Sequence, residues 1–110
     1  MTVAIDKEEG LKRLMNNKKL YGKLLNNFLQ GSAVDDLAAS IGDGDFEKIK
    51  AAAHTLKGVA ANLALPELRG VAADIEALAR DEKPADELLP VLKSAAGAAG
   101  KAIGEFLSEE

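Results

Sequence analysis

The sequence predicts an all-α fold: an antiparallel four-helix bundle with an additional short helix at its N-terminal end. Three observations predict it. Apolar side chains recur at steps of three and four, as in Phe46, Ile49, Ala53, Leu56, Ala60 and Leu63, which is the spacing of one helix face. No stretch of any length alternates apolar and polar residues as a half-buried strand does. The breaks between helical segments are short, and short loops favour neighbours that run antiparallel. A chain of 110 residues suits one domain, residues 1–110, with one core.

Each element has its own signals. Asp6 is a plausible N-cap for a first helix to about Leu14, with Glu8 and Glu9 in its first turn. Ile5, Leu11, Leu14 and Met15 are read as facing inward, and Gly10 weakens this helix. Asn16-Asn17 breaks it, since asparagine enters the left-handed region more readily than most residues. Lys18 to Gln30 forms the second helix, with Leu20, Tyr21, Leu24, Leu25 and Phe28 on its apolar face and Gly31 as its stop. Ser32 caps a third helix through about Ile41, with Asp35 completing a weak capping box and Val34, Leu37, Ala38 and Ile41 as the buried stripe. Gly42-Asp43-Gly44 is a turn, and Asp45 caps the fourth helix, which ends near Leu63 or Ala64.

Pro66 fits the first turn of a fifth helix to about Arg80, whose inward face is Leu68, Val71, Ala72, Ile75, Leu78 and Ala79. Asp81 to Asp86, with Pro84, is a polar loop. The last helix runs to about Leu107, with Pro90 in its first turn, and its Ala/Gly-rich tract from Ser94 to Gly104 packs within the bundle.

Composition narrows the function. The formal net charge of -4 argues against a nucleic-acid groove. The absence of cysteine means the fold holds by packing, as suits the cytoplasm. One histidine and no cysteine cannot supply the ligand set of a zinc site, so no metal is expected. No apolar run approaches a membrane span, and Met1-Thr2-Val3-Ala4-Ile5 lacks the basic region and core of a signal peptide. No phosphate-binding glycine loop of the Walker type is present, and no cofactor is implied. A bundle with a largely polar outer face is most simply a monomer.

The only histidine, His54, lies inside the fourth helix. At about 100° per residue it points roughly 130° away from the apolar stripe, so it faces solvent or its border. Glu47, Lys50, Ala51, Lys57, Gly58 and Ala61 share that side of the wheel. A neutral imidazole, whose ordinary pKa is about 6.5, can attack a phosphoryl group at neutral pH without a separate base. Lys57, one turn on, can bring its ammonium to phosphoryl oxygens. Gly58 and Ala61 remove bulk, leaving a flat patch over which another protein could close, and Lys50 could steer an acidic partner. No paired acidic residues stand near His54 in the sequence, so a general acid–base enzyme is not predicted.

His54-Thr55-Leu56-Lys57-Gly58, followed by Ala60-Ala61-Asn62-Leu63, resembles the signature of histidine-containing phosphotransfer (HPt) domains of multistep two-component phosphorelays. Leu20-Tyr21 with Leu24-Leu25 and Phe28 resembles the second helix of that family, Gly44-Asp45-Phe46 the turn opening its histidine helix, and Leu68 with Ile75-Glu76 the helix that follows. The likeness runs from about Ile5 to about Leu107. It departs at Val59, where the family often has a small polar residue, at Ala64, where it often has glycine, and at Asn16-Asn17, where glycines are usual.

The resemblance implies a phosphoryl carrier that is not an enzyme in its own right. His54 would accept the group, through Nε2, from the phospho-aspartate of a response-regulator receiver domain and pass it to another receiver. A hybrid sensor histidine kinase would stand upstream, and the receiver would supply the Mg²⁺ and catalytic aspartates. A receiver-docking module of the same fold without phosphotransfer is the alternative.

Overall fold

Side-chain caps set where three of the helices begin. In the computed structural model, which describes residues 3–109 and so leaves Met1 and Thr2 of the N-terminal stretch outside, the helices are α1 (Lys7–Arg13), α2 (Lys18–Gln30), α3 (Ala33–Asp43), α4 (Phe46–Asn62), α5 (Pro66–Arg80) and α6 (Leu89–Ser108). A single 3-10 turn, Asp86–Leu88, precedes α6. No strand occurs among the described residues, and the chain is the all-α helical bundle its periodicity predicts.

The Asp6 carboxylate accepts from the Glu9 amide, Asn17 from Leu20, and Asp45 from both Glu47 and Lys48. Each bond satisfies one of the amides that a helix start leaves without a partner. Pro66 opens α5, where a missing N–H costs nothing.

The core forms where the apolar stripes meet. α4 contributes Ile49, Ala53, Leu56 and Ala60, and α5 contributes Leu68, Val71, Ala72, Ile75 and Ala79. α6 adds Leu92, Ala95, Ala99, Ile103 and Phe106, while Tyr21 and Leu25 of α2 and Leu37 and Ile41 of α3 close the cluster. Burying one Leu, Ile or Phe is worth about 1.5–3 kcal/mol. The interspersed alanines bring helix axes close.

Three residues, Leu63–Leu65, turn the chain from α4 into α5, and the two helices then pack side by side. Ala64 takes the left-handed φ of 58°. The link is clamped from outside: the Tyr21 hydroxyl donates to the Leu63 carbonyl at 2.7 Å, the Asp6 amide to Ala64 O at 2.8 Å, and the Glu67 amide to Val3 O at 3.1 Å. Burial, with the nearby Asp6 charge, pushes the Tyr21 phenol up to about 12. Its ring meets Phe106 edge-on, with centroids 5.2 Å apart. A β-carbon at Gly10 would fall on that ring, so the glycine that weakens α1 locally is what lets α1 lie against Tyr21.

Several expectations are corrected. Met15 does not face inward; it is 91% exposed. α1 ends at Arg13, and Met15 and Asn16 both take left-handed φ, so the helical wheel no longer describes their directions. Leu20 lies about 100° from Tyr21 on the wheel and is exposed at the edge of the apolar face. Ser32 makes no backbone capping bond; its hydroxyl donates instead to the Asp36 carboxylate, at 3.0 Å. Gly42 and Asp43 belong to the last turn of α3, and Gly44 alone turns the chain, at φ 74°.

Candidate functional site around His54

The Asp45 cap starts α4, and the buried stripe Ile49, Ala53, Leu56 and Ala60 fixes its rotation. That rotation puts His54 on the outside, with its side chain 71% exposed. The second half of the site comes from α5. Ile75 is wholly buried, which leaves its neighbour Glu76 at the seam with α4, only 14% exposed.

Glu76 holds both basic groups of the signature at once. One carboxylate oxygen, Oε2, lies 2.8 Å from His54 Nδ1, and the other, Oε1, accepts from Lys57 Nζ at 2.5 Å. The Lys57 hydrogen bond, and to a lesser degree that of His54, holds the Glu76 carboxyl below its ordinary range, against the opposing effect of partial burial. An ionised carboxylate only accepts hydrogen bonds. The contact therefore places a proton on Nδ1, and in the neutral ring the lone pair then sits on Nε2. Chemically the cluster offers an exposed nucleophilic nitrogen, a carboxylate to offset positive charge growing on the ring, and an adjacent ammonium.

The residues expected at the site are only partly brought together. Lys57 joins His54, although through Glu76. Lys50 instead pairs with Glu47 at 3.5 Å across an exposed turn, a contact of small energetic worth. Ala51 is exposed, Ala61 is half-buried, and a β-carbon at Gly58 would meet nothing within 4 Å. Gly58 is therefore not required for packing inside the domain. No cluster of three or more His, Cys, Asp or Glu among the described residues could hold a metal ion.

Glu76 is the contact that reading the sequence helix by helix misses: one carboxylate from α5 stands against His54, beside which no paired acidic residues were expected. The signal lay in the connection. His54 and Glu76 are 22 residues apart, and the Leu63–Leu65 link sits near their midpoint. A chain folded back there brings the two positions abreast.

Comparison with curated proteins and with solved structures gives no match. The model of one family, the Hpt domain, matches residues 23–102, from the first turns of α2 to the last turns of α6. That span takes in the whole α4–α5 pair and the His54–Lys57–Glu76 cluster, and the chain belongs to the Hpt domain family, whose members carry phosphoryl groups in phosphorelays.

Proposed function

We propose that His54 is the phosphoacceptor and that the chain relays a phosphoryl group between two receiver domains. The single observation that carries the reading is the exposed imidazole whose Nδ1 is held by Glu76. In the step, the Nε2 lone pair forms a bond to phosphorus as the P–O bond of the receiver's phospho-aspartate breaks. The aspartate leaves as a carboxylate. The Nδ1 proton stays where it is, and the charge gained by the ring is offset by Glu76. The return step to a second receiver reverses these bonds.

Lys57 stabilises the phosphoryl oxygens or the carboxylate that positions the ring. Lys50, Ala51, Gly58 and Ala61 form the surface on which the receiver seats. The receiver brings Mg²⁺ and the acidic groups that hold it. The chain is a carrier rather than an enzyme, one domain over residues 1–110, monomeric and cytoplasmic, with a hybrid sensor histidine kinase upstream. No helix among the described residues is long and apolar enough to cross a membrane.

The test is a two-receiver relay. A labelled phospho-receiver is mixed with wild type or His54→Gln, and a second receiver is then added. Acid-labile label on wild type alone, followed by its appearance on the second receiver, is the expected result. Label that never leaves the first receiver, although the two proteins bind, would replace the carrier reading with that of a docking module.

A further inference from the structure

Next to the His54 cluster, the seam between α4 and α5 opens into a groove of about 420 Å³. Lys57 and Arg69 border it, and Gly58, Ala61, Gly70 and Ala73 line it. Two features need a cause outside the chain. Gly58 and Gly70 sit in helices, where each costs about 1 kcal/mol relative to alanine. A β-carbon at either would meet nothing within 4 Å, so neither serves packing within the domain. Gly97 and Gly104 on α6 are equally open, so an open glycine alone carries no meaning. Gly97 also lines a cleft, between α2, α3 and α6; what sets Gly58 and Gly70 apart is that their shared groove begins at the lysine bonded to Glu76.

The second feature is charge. The chain is net acidic, yet the charged residues lining this groove are both cations. Lys57 is committed to Glu76. Arg69 is exposed and takes part in no ion pair among the described residues. The carboxylates that share the neighbouring cavity with it are engaged elsewhere: Glu9 with Arg13 at 3.3 Å, and Asp6 with the amide that it caps.

We infer that the α4–α5 groove seats one helix of the docking receiver, which lays a row of small or aliphatic side chains on the glycine–alanine floor and presents a carboxylate to Arg69. The inference rests on the proposed relay and deepens it: Arg69 determines which receiver is accepted, and the groove sets the depth at which that receiver approaches His54. Rim charges act mainly on encounter and partner choice.

The test uses Gly70→Leu, which fills the groove, and Arg69→Glu, which reverses its free charge, with circular dichroism confirming helicity in each. Phosphoramidate, a small donor that needs no docking, should label His54 in both variants at the wild-type rate. Transfer from the phosphorylated receiver that serves the wild type should fall by about tenfold or more in each. The Arg69→Glu loss should shrink in high salt, and the Gly70→Leu loss should persist. Wild-type receiver transfer in either variant overturns the inference, as does an equal loss with phosphoramidate, which would place the defect at His54. A wild-type protein labelled by no donor would instead overturn the relay reading itself.

Discussion

Replacing Glu76 by glutamine separates positioning of the imidazole from the chemistry of phosphoryl transfer. The change keeps the shape and removes the charge. Glutamine has one acceptor oxygen where Glu76 uses two; with that oxygen on Lys57 Nζ, the amide NH₂ faces His54 Nδ1 and favours the tautomer whose proton sits on Nε2, which removes the nucleophilic lone pair. A hydrogen bond to a charged group is worth about 1.5–3 kcal/mol when shielded, and an exposed ion pair about 0–1 kcal/mol. The Glu76 side chain is 14% exposed, but its His54 partner is 71% exposed, so the effect lies near the lower range. About 1 kcal/mol is expected, which is roughly a fivefold slower transfer. The assay is single-turnover labelling by phosphoramidate, paired with nitrogen-15 spectra of the His54 ring to read the Nδ1–H and Nε2–H tautomers. An unchanged rate and tautomer ratio would refute the positioning argument. A loss of about a thousandfold would refute it from the other side, because a group that only orients and offsets charge at an exposed site cannot supply some 4 kcal/mol.

Three further outcomes test the scaffold and the cluster. Gly10→Ala should lower stability even though alanine favours helix by about 1 kcal/mol, because the new methyl lands on the Tyr21 ring and overpacking costs about 1–3 kcal/mol; a thermal midpoint equal to or above wild type would contradict this. Tyr21→Phe should cost about 1–3 kcal/mol by stranding the buried Leu63 carbonyl. The unfolded phenol loses its proton near pH 10 and the folded one only near about 12, so wild-type stability should fall between those values, and the variant, lacking that slope, would disprove the buried phenol if its alkaline profile matched wild type. Lys57→Ala removes the largest cause of the lowered Glu76 pKa, so the carboxyl should titrate closer to its ordinary 4.5. In wild type the Glu76 contribution is present above about pH 4.5 and lost as pH falls through the lowered value; carbon-13 titration of the carboxyl with the same midpoint in both proteins would show that Lys57 does not hold it.

What could be read from the sequence was local. Asp45 and Asp6 bind amides of the first turn they cap, and Pro66 lacks an amide that would go unpaired there, so these helix starts followed from residue type. The outward direction of His54 followed from one stripe, because a buried face fixes the rotation of a helix. The failures are non-local, or lie where helical geometry stops. Met15 was assigned by a wheel that ends two residues earlier, at Arg13. Gly10 looked like a weakness because its partner, Tyr21, lies on another helix. The role of Glu76 is illegible for the same reason: Ile75-Glu76 matches the family pattern of its own helix, but the contact with His54 exists only once α5 folds back on α4.

In the proposed relay His54 carries the phosphoryl group on Nε2 while Glu76 keeps Nδ1 protonated. Nitrogen-15 and phosphorus-31 spectra of the protein, labelled by a phospho-receiver, resolve the two ring nitrogens directly. Phosphorus coupled to Nε2 of His54, with a proton retained on Nδ1, is the expected result. Phosphorus on Nδ1, or on any residue other than His54, would contradict it.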